Sequence, residues 1–192
     1  STTTGILIDG NRYEALKRFV YDRQPDGDAG LDTRFDVWFQ SSSEYSNYDF
    51  TKFLEPVERQ GLGSAYYPEI PIMRLSEIYY IACEAQIGKD NALALQYLND
   101  VRNNRNLSLI QTVPDDATLL EYLVREMRKD FIGDGRTFLM HKRLFYDIYT
   151  VRGETIPASD NIFVIPIPDD EYEFSGIEKP GNTTDNNQSE LL

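Results

Sequence analysis

The sequence predicts a mainly α protein built from helical hairpins, with long loops and a few short strands. Between residues 73 and 148, apolar residues recur at the spacing of amphipathic helices. A short turn at residues 88–90 separates two of these segments, so the helices on either side are expected to form an antiparallel hairpin. Proline and glycine interrupt much of the remaining chain, which favours loops there.

The first 70 residues are predicted to be a loop-rich, aromatic segment. A helix is expected over residues 13–20, where apolar side chains share helical spacing. Residues 35–39, FDVWF, predict a short strand with Phe35, Val37 and Phe39 on one face. Residues 54–72 contain three prolines and two glycines and are expected to be loop.

Residues 71–150 are predicted to hold the helical hairpins. The segment 73–87 is apolar on nearly every side, as in a helix buried among others. Gly88 suits its C-terminal cap and Asp90 suits the N-terminal cap of the next helix. Because tetratricopeptide arrays are stacked from such pairs, the predicted architecture is tetratricopeptide-like.

Two more helices and a C-terminal segment complete the chain. A third helix is expected after Pro114 and a fourth over about 136–148, with glycines between them. Residues 151–180 are predicted to be an extended segment packed on the helices, since the run IFVIPI contains a proline. One helical turn is expected to start near Pro168. Residues 181–192 have the composition of a flexible tail.

Hairpins of this kind bury their apolar faces against neighbouring hairpins, and about three are needed for stability. The chain supplies about two, and the first helix is apolar almost all round. We therefore expect the chain to be part of a larger body. Either an N-terminal portion absent from this chain or a partner chain would cover the remaining face.

Composition excludes some classes of partner. The chain has 32 acidic and 19 basic residues, a formal net charge of −13. A surface of this charge repels phosphate backbones and anionic lipid, so no nucleic-acid partner is expected. Cys83 is the single cysteine, which excludes an internal disulfide, and it is expected to be a small core residue.

Five segments of the chain, in order, resemble those of the SusD/RagB family, the surface-exposed nutrient-binding lipoproteins of Bacteroidetes. They are DTR at 32–34, IMRLSEIY with CEA at 72–85, ALQYLNDVR at 94–102, EMRKDF with GDG and a closing KR at 126–143, and IPIPDDE at 165–171. The residues that carry this likeness are Asp32, Arg34, Arg74, Glu77, Glu84, Asn99, Arg102, Glu126, Arg128, Gly135, Arg143, Pro166 and Pro168. Met127 departs from the family pattern, which usually has arginine there.

The resemblance implies a non-catalytic receptor at the cell surface of the outer membrane. Family members capture an oligosaccharide or another nutrient for a TonB-dependent transporter of the SusC type. Their lipid-bearing cysteine and first two repeats have no counterpart in this chain. The resemblance therefore implies that the N-terminal portion of the same protein, absent here, is a partner and carries the lipid anchor.

Charged residues between apolar helix positions are interpreted as structural ion pairs that fix hairpin register. They are Glu77, Glu84, Arg102, Glu126, Arg128 and Lys142. A glycoside hydrolase would need two acids facing one cleft. Glu126 and Asp130 instead lie one turn apart on one predicted helix, so a hydrolase is the least favoured hypothesis.

No cofactor and no metal site are expected. His141 is the single histidine, which excludes a histidine-rich metal site, and it is assigned a surface or packing role. The acidic loop at residues 26–32 superficially resembles a calcium loop. It has Leu31 where such loops need glycine and Val37 where they need an acid.

Aromatic residues make up 12% of the chain and offer the best candidate for a ligand site. Sugar rings present apolar C–H faces that stack on flat aromatic rings, while their hydroxyls bond to amides and acids. Trp38, Tyr45 and Tyr48, with Asn47 and Asp49 between them, form such a group. The alternative is that these rings pack inside and cover the hairpins.

Two functional hypotheses follow, from different classes. The first is the nutrient-binding receptor that the family resemblance implies. The second is a helical-repeat adaptor that binds only protein, which full burial of Trp38 and of residues 45–48 would favour.

Overall fold

The first of two compact units contains a small antiparallel sheet with an aromatic core and, later in the chain, a group of four longer helices. The computed structural model describes residues 6–21, 32–41, 47–53 and 72–174. The chain divides into units after Pro157. Mainly helical structure with a few short strands confirms the predicted fold class.

The sheet orders its three strands as β1–β3–β2, with both neighbouring pairs antiparallel. The elements of this part are β1 (Ile6–Ile8), α1 (Gly10–Leu16), a π-helical turn (Lys17–Tyr21), α2 (Thr33–Trp38), β2 (Phe39–Ser41) and β3 (Tyr48–Phe50). Phe39 and Phe50 lie opposite each other across β2 and β3. They pack with Val20, Tyr21 and Phe35 into a buried cluster, named here the aromatic core.

The predicted strand over residues 35–39 is wrong. Thr33–Trp38 form α2, which begins because the Asp32 side chain accepts a hydrogen bond from the Arg34 backbone N–H at 3.1 Å. Phe35 and Phe39 are both buried, whereas Val37 is 57% exposed. Five residues are too few to separate strand alternation from the four-residue spacing that places Phe35 and Phe39 on one side.

The predicted hairpin region forms four helices in the expected order: α3 (Leu75–Gln86), α4 (Asn91–Asn103), α5 (Asp116–Asp130) and α6 (Thr137–Leu144). Asp90 caps α4 and Asp115 caps α5 through side-chain bonds to backbone N–H groups. Alpha-helices α3 and α4 form a hairpin, and α5 packs against both. Their shared core includes Leu98, Leu119 and Leu123, each fully buried.

The expectation that the first of these helices is buried on all sides is wrong for the described residues. Only Tyr80 and Cys83 of α3 are fully buried, and Cys83 is confirmed as a core residue. Leu75, Ile78 and Ile81 are 70%, 48% and 57% exposed. They recur every three residues and so form one face of the helix, named here the α3 stripe.

The C-terminal part of the chain is less regular. Strands β4 (Ile148–Tyr149) and β5 (Thr155–Ile156) pair antiparallel at the end of the first unit. The second unit contains α7 (Asp160–Phe163) and α8 (Asp169–Phe174). Helix α8 confirms the expected turn near Pro168, whereas the IFVIPI run begins in α7 and continues without regular structure. The predicted tail, 181–192, lies outside the described residues.

Candidate functional site

Six charged side chains meet in the core between α2, α4 and α5. Asp32 precedes α2, Arg34 lies on it, Arg102 comes from α4, and Glu126, Lys129 and Asp130 come from α5; each is at most 3% exposed. We name this group the ion cluster. Its three carboxylates balance its three cationic groups, which is the condition under which buried charge is tolerated.

Arg34 is the centre of the ion cluster. Its Nε and Nη2 atoms donate to the two oxygens of Asp32 at 2.8 and 2.6 Å. Nη2 also donates to Glu126 Oε2 at 2.7 Å, and Nη1 donates to Asp130 Oδ1 at 2.8 Å. A planar guanidinium with several donors in a fixed fork can satisfy three carboxylates together.

Glu126 joins the remaining two cations to the cluster. Its Oε1 accepts from Lys129 Nζ at 2.8 Å and from Arg102 Nη1 at 3.1 Å. Arg102 also donates to the carbonyl of Ser108 at 2.7 Å, which fixes the chain after α4. The ion cluster therefore holds α2, α4 and α5 in register.

The electrostatic environment keeps the carboxylates of Glu126 and Asp130 ionised. Burial by itself would raise the pKa of Glu126, but the charges of Lys129, Arg34 and Arg102 outweigh it and lower that pKa well below the usual range. The pKa of Asp130 is also lowered, because the charges of Arg34 and Arg105 outweigh the effect of burial. General acid catalysis at neutral pH needs the opposite shift, a carboxyl whose pKa is raised.

Two further ion pairs bridge α3 and α6. Glu77 pairs with Arg136, and Glu84 accepts from both terminal nitrogens of Arg143 at 2.5 and 2.8 Å. A groove of about 500 Å³ lies between the two helices, with Met127 among its lining residues. Glu77 and Glu84 are seven residues apart on α3, and their arginine partners are also seven residues apart. The two ion pairs therefore lie about two helical turns from each other.

Among the other residues of the family resemblance, Asn99 and Arg128 bond to backbone groups. Asn99 bonds to both the N–H and the carbonyl of Ile110 at 3.0 Å. Arg128 donates to the Tyr149 carbonyl at 2.6 Å. Gly135 has a φ of +71°, which L side chains rarely adopt. Lys142, Pro166 and Pro168 are exposed.

The predicted ligand residues that the structure describes lie beside the aromatic core. Trp38, Asn47, Tyr48 and Asp49 are half-buried, and Tyr45 lies outside the described residues. The backbone N–H of Thr51 donates to the Trp38 carbonyl at 2.8 Å, which links the end of α2 to the segment after β3. Full burial of Trp38 and Tyr48, which would have favoured the adaptor hypothesis, is not observed.

Other side chains already cover part of these rings. The Tyr48 ring stacks on the Tyr13 ring with centroids 3.5 Å apart and planes 5° apart. The Nζ atom of Lys52 lies 4.6 Å from the centroid of the Trp38 ring. One side of each ring is thus occupied, and a ligand would contact the part that remains exposed.

Lys52 is a residue that sequence reasoning missed. Its Nζ donates to the carbonyls of Asp130 and Ile132 at 2.5 and 2.7 Å and lies 2.9 Å from Asp134 Oδ1. Arg74 donates to the Asp130 carbonyl and to the Asp134 carboxylate, each at 3.2 Å. These partners lie far along the chain, so no local pattern could have revealed them.

His141 has a packing role rather than a surface role. It is 1% exposed, and its Nδ1 atom lies 3.3 Å from the Tyr146 carbonyl oxygen. Burial lowers its pKa below the usual value. Within the described ranges, no group of three or more potential side-chain ligands is placed to hold a metal ion. No helix in those ranges is long and apolar enough to cross a membrane.

Comparison with known proteins identifies the family. The chain has no match among the curated proteins or among the solved structures with which it was compared. A family model described as the SusD family matches residues 37–188. The match includes most of the 192 residues, from within α2 through all four helices of the hairpin region. The chain belongs to the SusD family.

Proposed function

We propose that this protein is the non-catalytic, nutrient-binding component of a TonB-dependent uptake system at the cell surface. The observation that carries the proposal is the family match over residues 37–188. The SusD family comprises outer-membrane-associated lipoproteins that are generally binding proteins rather than enzymes. The proposed anchor is a lipid on an N-terminal segment that this chain does not contain, and the proposed partner is a SusC-type transporter.

The chemistry of the ion cluster supports binding without bond making. Its carboxylates each contact at least one cationic side chain at 3.1 Å or less, and the pKa values of Glu126 and Asp130 are lowered. A retaining or inverting glycosidase needs one protonated and one ionised acid across an accessible cleft. Fully buried, paired carboxylates do not meet that requirement.

The proposed ligand is an oligosaccharide, and the proposed ligand residues are Trp38, Tyr45, Asn47, Tyr48 and Asp49. An indole or phenol ring offers an apolar face to sugar C–H groups. The neighbouring amide and carboxylate can bond to sugar hydroxyls. Half-burial of Trp38, Asn47, Tyr48 and Asp49 suits this role, because the side chains are held by the fold yet remain accessible.

A panel of oligosaccharides tests the proposal by isothermal titration calorimetry and by fluorescence of Trp38, the single tryptophan of the chain. We expect one class of glycan to bind, and Trp38→Ala or Tyr48→Ala to weaken that binding at least tenfold. Phe174→Ala is the matched control, since Phe174 is 85% exposed and belongs to the second unit. Binding that survives both site variants would contradict the assigned site, and no binding to any glycan would contradict the function.

The α3 stripe favours a protein contact in addition. Exposed apolar residues at helical spacing are the usual surface on which another helix docks. We propose that a further helical hairpin, from the expected N-terminal portion of the same protein, packs on Leu75, Ile78 and Ile81. Ile81→Asp should then leave this chain folded and abolish its association with that portion, as seen by size-exclusion chromatography. Association that persists in Ile81→Asp would contradict the assigned surface.

The adaptor hypothesis makes a different prediction. A helical scaffold that binds only protein would show the stripe-dependent association and no glycan binding. Capture of a TonB-dependent transporter together with glycan binding supports the receptor instead. Incubation of the same oligosaccharide panel with the protein should yield no cleavage products. Cleavage that is lost in Glu126→Gln would instead support the glycoside hydrolase hypothesis.

A further inference from the structure

The end of α5 is a point where two cations converge on backbone carbonyls. Helices leave their last carbonyls without intrahelical partners and carry partial negative charge at this end. Lys52 donates to two carbonyls there, those of Asp130 and Ile132, at 2.5 and 2.7 Å. Arg74 donates to the first of them at 3.2 Å. The Lys52 side chain is 1% exposed, so this contact is part of the interior.

The same ammonium group lies against the indole of Trp38. The distance from Nζ to the ring centroid is 4.6 Å, within the range of a cation–π contact, and the Phe53 ring is 5.5 Å away. The cation–π contact is stronger where water is excluded, as it is around this side chain. Lys52 thus joins two structures that the chain places far apart: the end of α5 and the half-buried tryptophan.

We propose that Lys52 is a positioning residue that clamps the Trp38 indole against the C-terminal end of α5, so that the exposed part of the ring presents one fixed face to a sugar. This inference rests on the proposed function and deepens it. Trp38 packs only in part on the aromatic core, so without Lys52 the rest of its side chain would sample more than one rotamer, and ordering it on binding would cost affinity. Holding the ring in place beforehand removes that cost.

The charge state of Lys52 gives the clamp a spectroscopic signature. The groups that face its ammonium are the carboxylates of Asp134 and Asp130, the guanidinium of Arg74, and the two aromatic rings. Burial lowers the pKa of Lys52 to about 8, with the charge of Arg74 acting in the same direction and Asp134 opposing it. Loss of the proton removes the cation from beneath the indole, whose emission responds to nearby charge.

The test uses Trp38 fluorescence in the 192-residue chain, first without ligand. We expect the emission to titrate with a midpoint near pH 8 in the original chain, and the titration to vanish in Lys52→Met and Lys52→Arg. Time-resolved anisotropy should show a more mobile indole in Lys52→Met than in the original chain, and a restrained one in Lys52→Arg. Arg74→Met is the matched control, because it removes a cation from the same carbonyl and carboxylate while leaving Lys52 beneath the ring. Its indole should stay restrained, and its titration should persist with a higher midpoint, since the charge of Arg74 lowers the pKa of Lys52.

The second arm measures affinity for the best glycan of the panel. Lys52→Met should weaken binding by about twofold to tenfold, the equivalent of a cation–π contact, and Lys52→Arg should restore most of it. Unchanged indole anisotropy in Lys52→Met would overturn the clamp whether or not a ligand is found. Unchanged glycan affinity in that variant would overturn the inference and leave the proposed function standing. Failure of every glycan to bind would overturn the proposed function. The anisotropy measurement would still show whether Lys52 restrains the Trp38 indole.

Discussion

Replacement of Arg34 by methionine should destabilise the helical core far more than loss of a surface ion pair. The guanidinium donates four hydrogen bonds to three buried carboxylates at 2.6–2.8 Å. Without it, the three carboxylates of the ion cluster keep only two of its three cations, and the partly exposed Arg105, 3.6 Å from Asp130, is the remaining and weaker compensation for the excess buried negative charge. Removing one partner of a buried pair costs about 3–5 kcal/mol, a large share of the roughly 5–15 kcal/mol that stabilises most domains.

Urea unfolding, followed by circular dichroism and by Trp38 fluorescence, measures the effect. Thermal unfolding gives a second measure. In a chain of this length the melting temperature should fall by about 2–4 °C for each kcal/mol lost, so by about 6–20 °C in Arg34→Met. Arg12→Met is the matched control, since Arg12 and Asp9 form an exposed pair at 3.4 Å. Such pairs contribute about 1 kcal/mol or less.

A second variant separates charge imbalance from lost packing. Arg34→Met combined with Glu126→Gln restores equal numbers of acids and bases in the ion cluster. Because an unpaired buried charge carries much of the cost, the double variant should be more stable than the sum of the two single effects predicts. Arg34→Met with the stability of Arg12→Met, or strictly additive effects in the double variant, would refute the electrostatic argument.

Three further predictions concern a turn and two pH dependences. Gly133→Ala should lower the free energy of unfolding by about 1–3 kcal/mol, and by more than Gly135→Ala does. Both glycines have positive φ, but only at position 133 would a Cβ lie 2.7 Å from the Phe50 ring. Equal losses of stability in the two variants, measured by urea unfolding, would contradict this reasoning. Because burial lowers the pKa of His141, the folded chain binds fewer protons than the unfolded chain near pH 6, so stability should fall from pH 7 to 5. His141→Gln should flatten that slope, and an unchanged slope would exclude His141 as its source. The lowered pKa values of Glu126 and Asp130 contribute stability above about pH 4.5 that is lost on further acidification, so the free energy of unfolding between pH 5 and pH 2 should fall more steeply in the original chain than in Arg34→Met.

The helices of the hairpin region could be predicted because their signals are local. Apolar residues at helical spacing mark the elements, and Asp90 and Asp115 cap helices within three residues of themselves. The FDVWF segment wrongly predicts a strand because its five residues fit both the strand period and the helix period. The helix cap at Asp32 was the signal that could have decided it.

The candidate site was less accessible to the same reasoning. The predicted site at Trp38 and its neighbours rests on residue type alone, and the sequence carries no sign that Lys52 lies beneath the indole. Lys52 and Asp130 are 78 positions apart, and Arg34 and Glu126 are 92 apart. Contacts of that separation leave no periodic trace in a single chain.

The sequence alone determined the helical class of this protein, the order of its four main helices and its likeness to one family. Tertiary structure alone decided which charges share a buried cluster, which face of α3 meets solvent, and which cation lies against the single tryptophan. The physical reason is distance along the chain. Helix periodicity and capping act between residues three or four positions apart, whereas ion pairing and burial depend on where folding brings distant segments together.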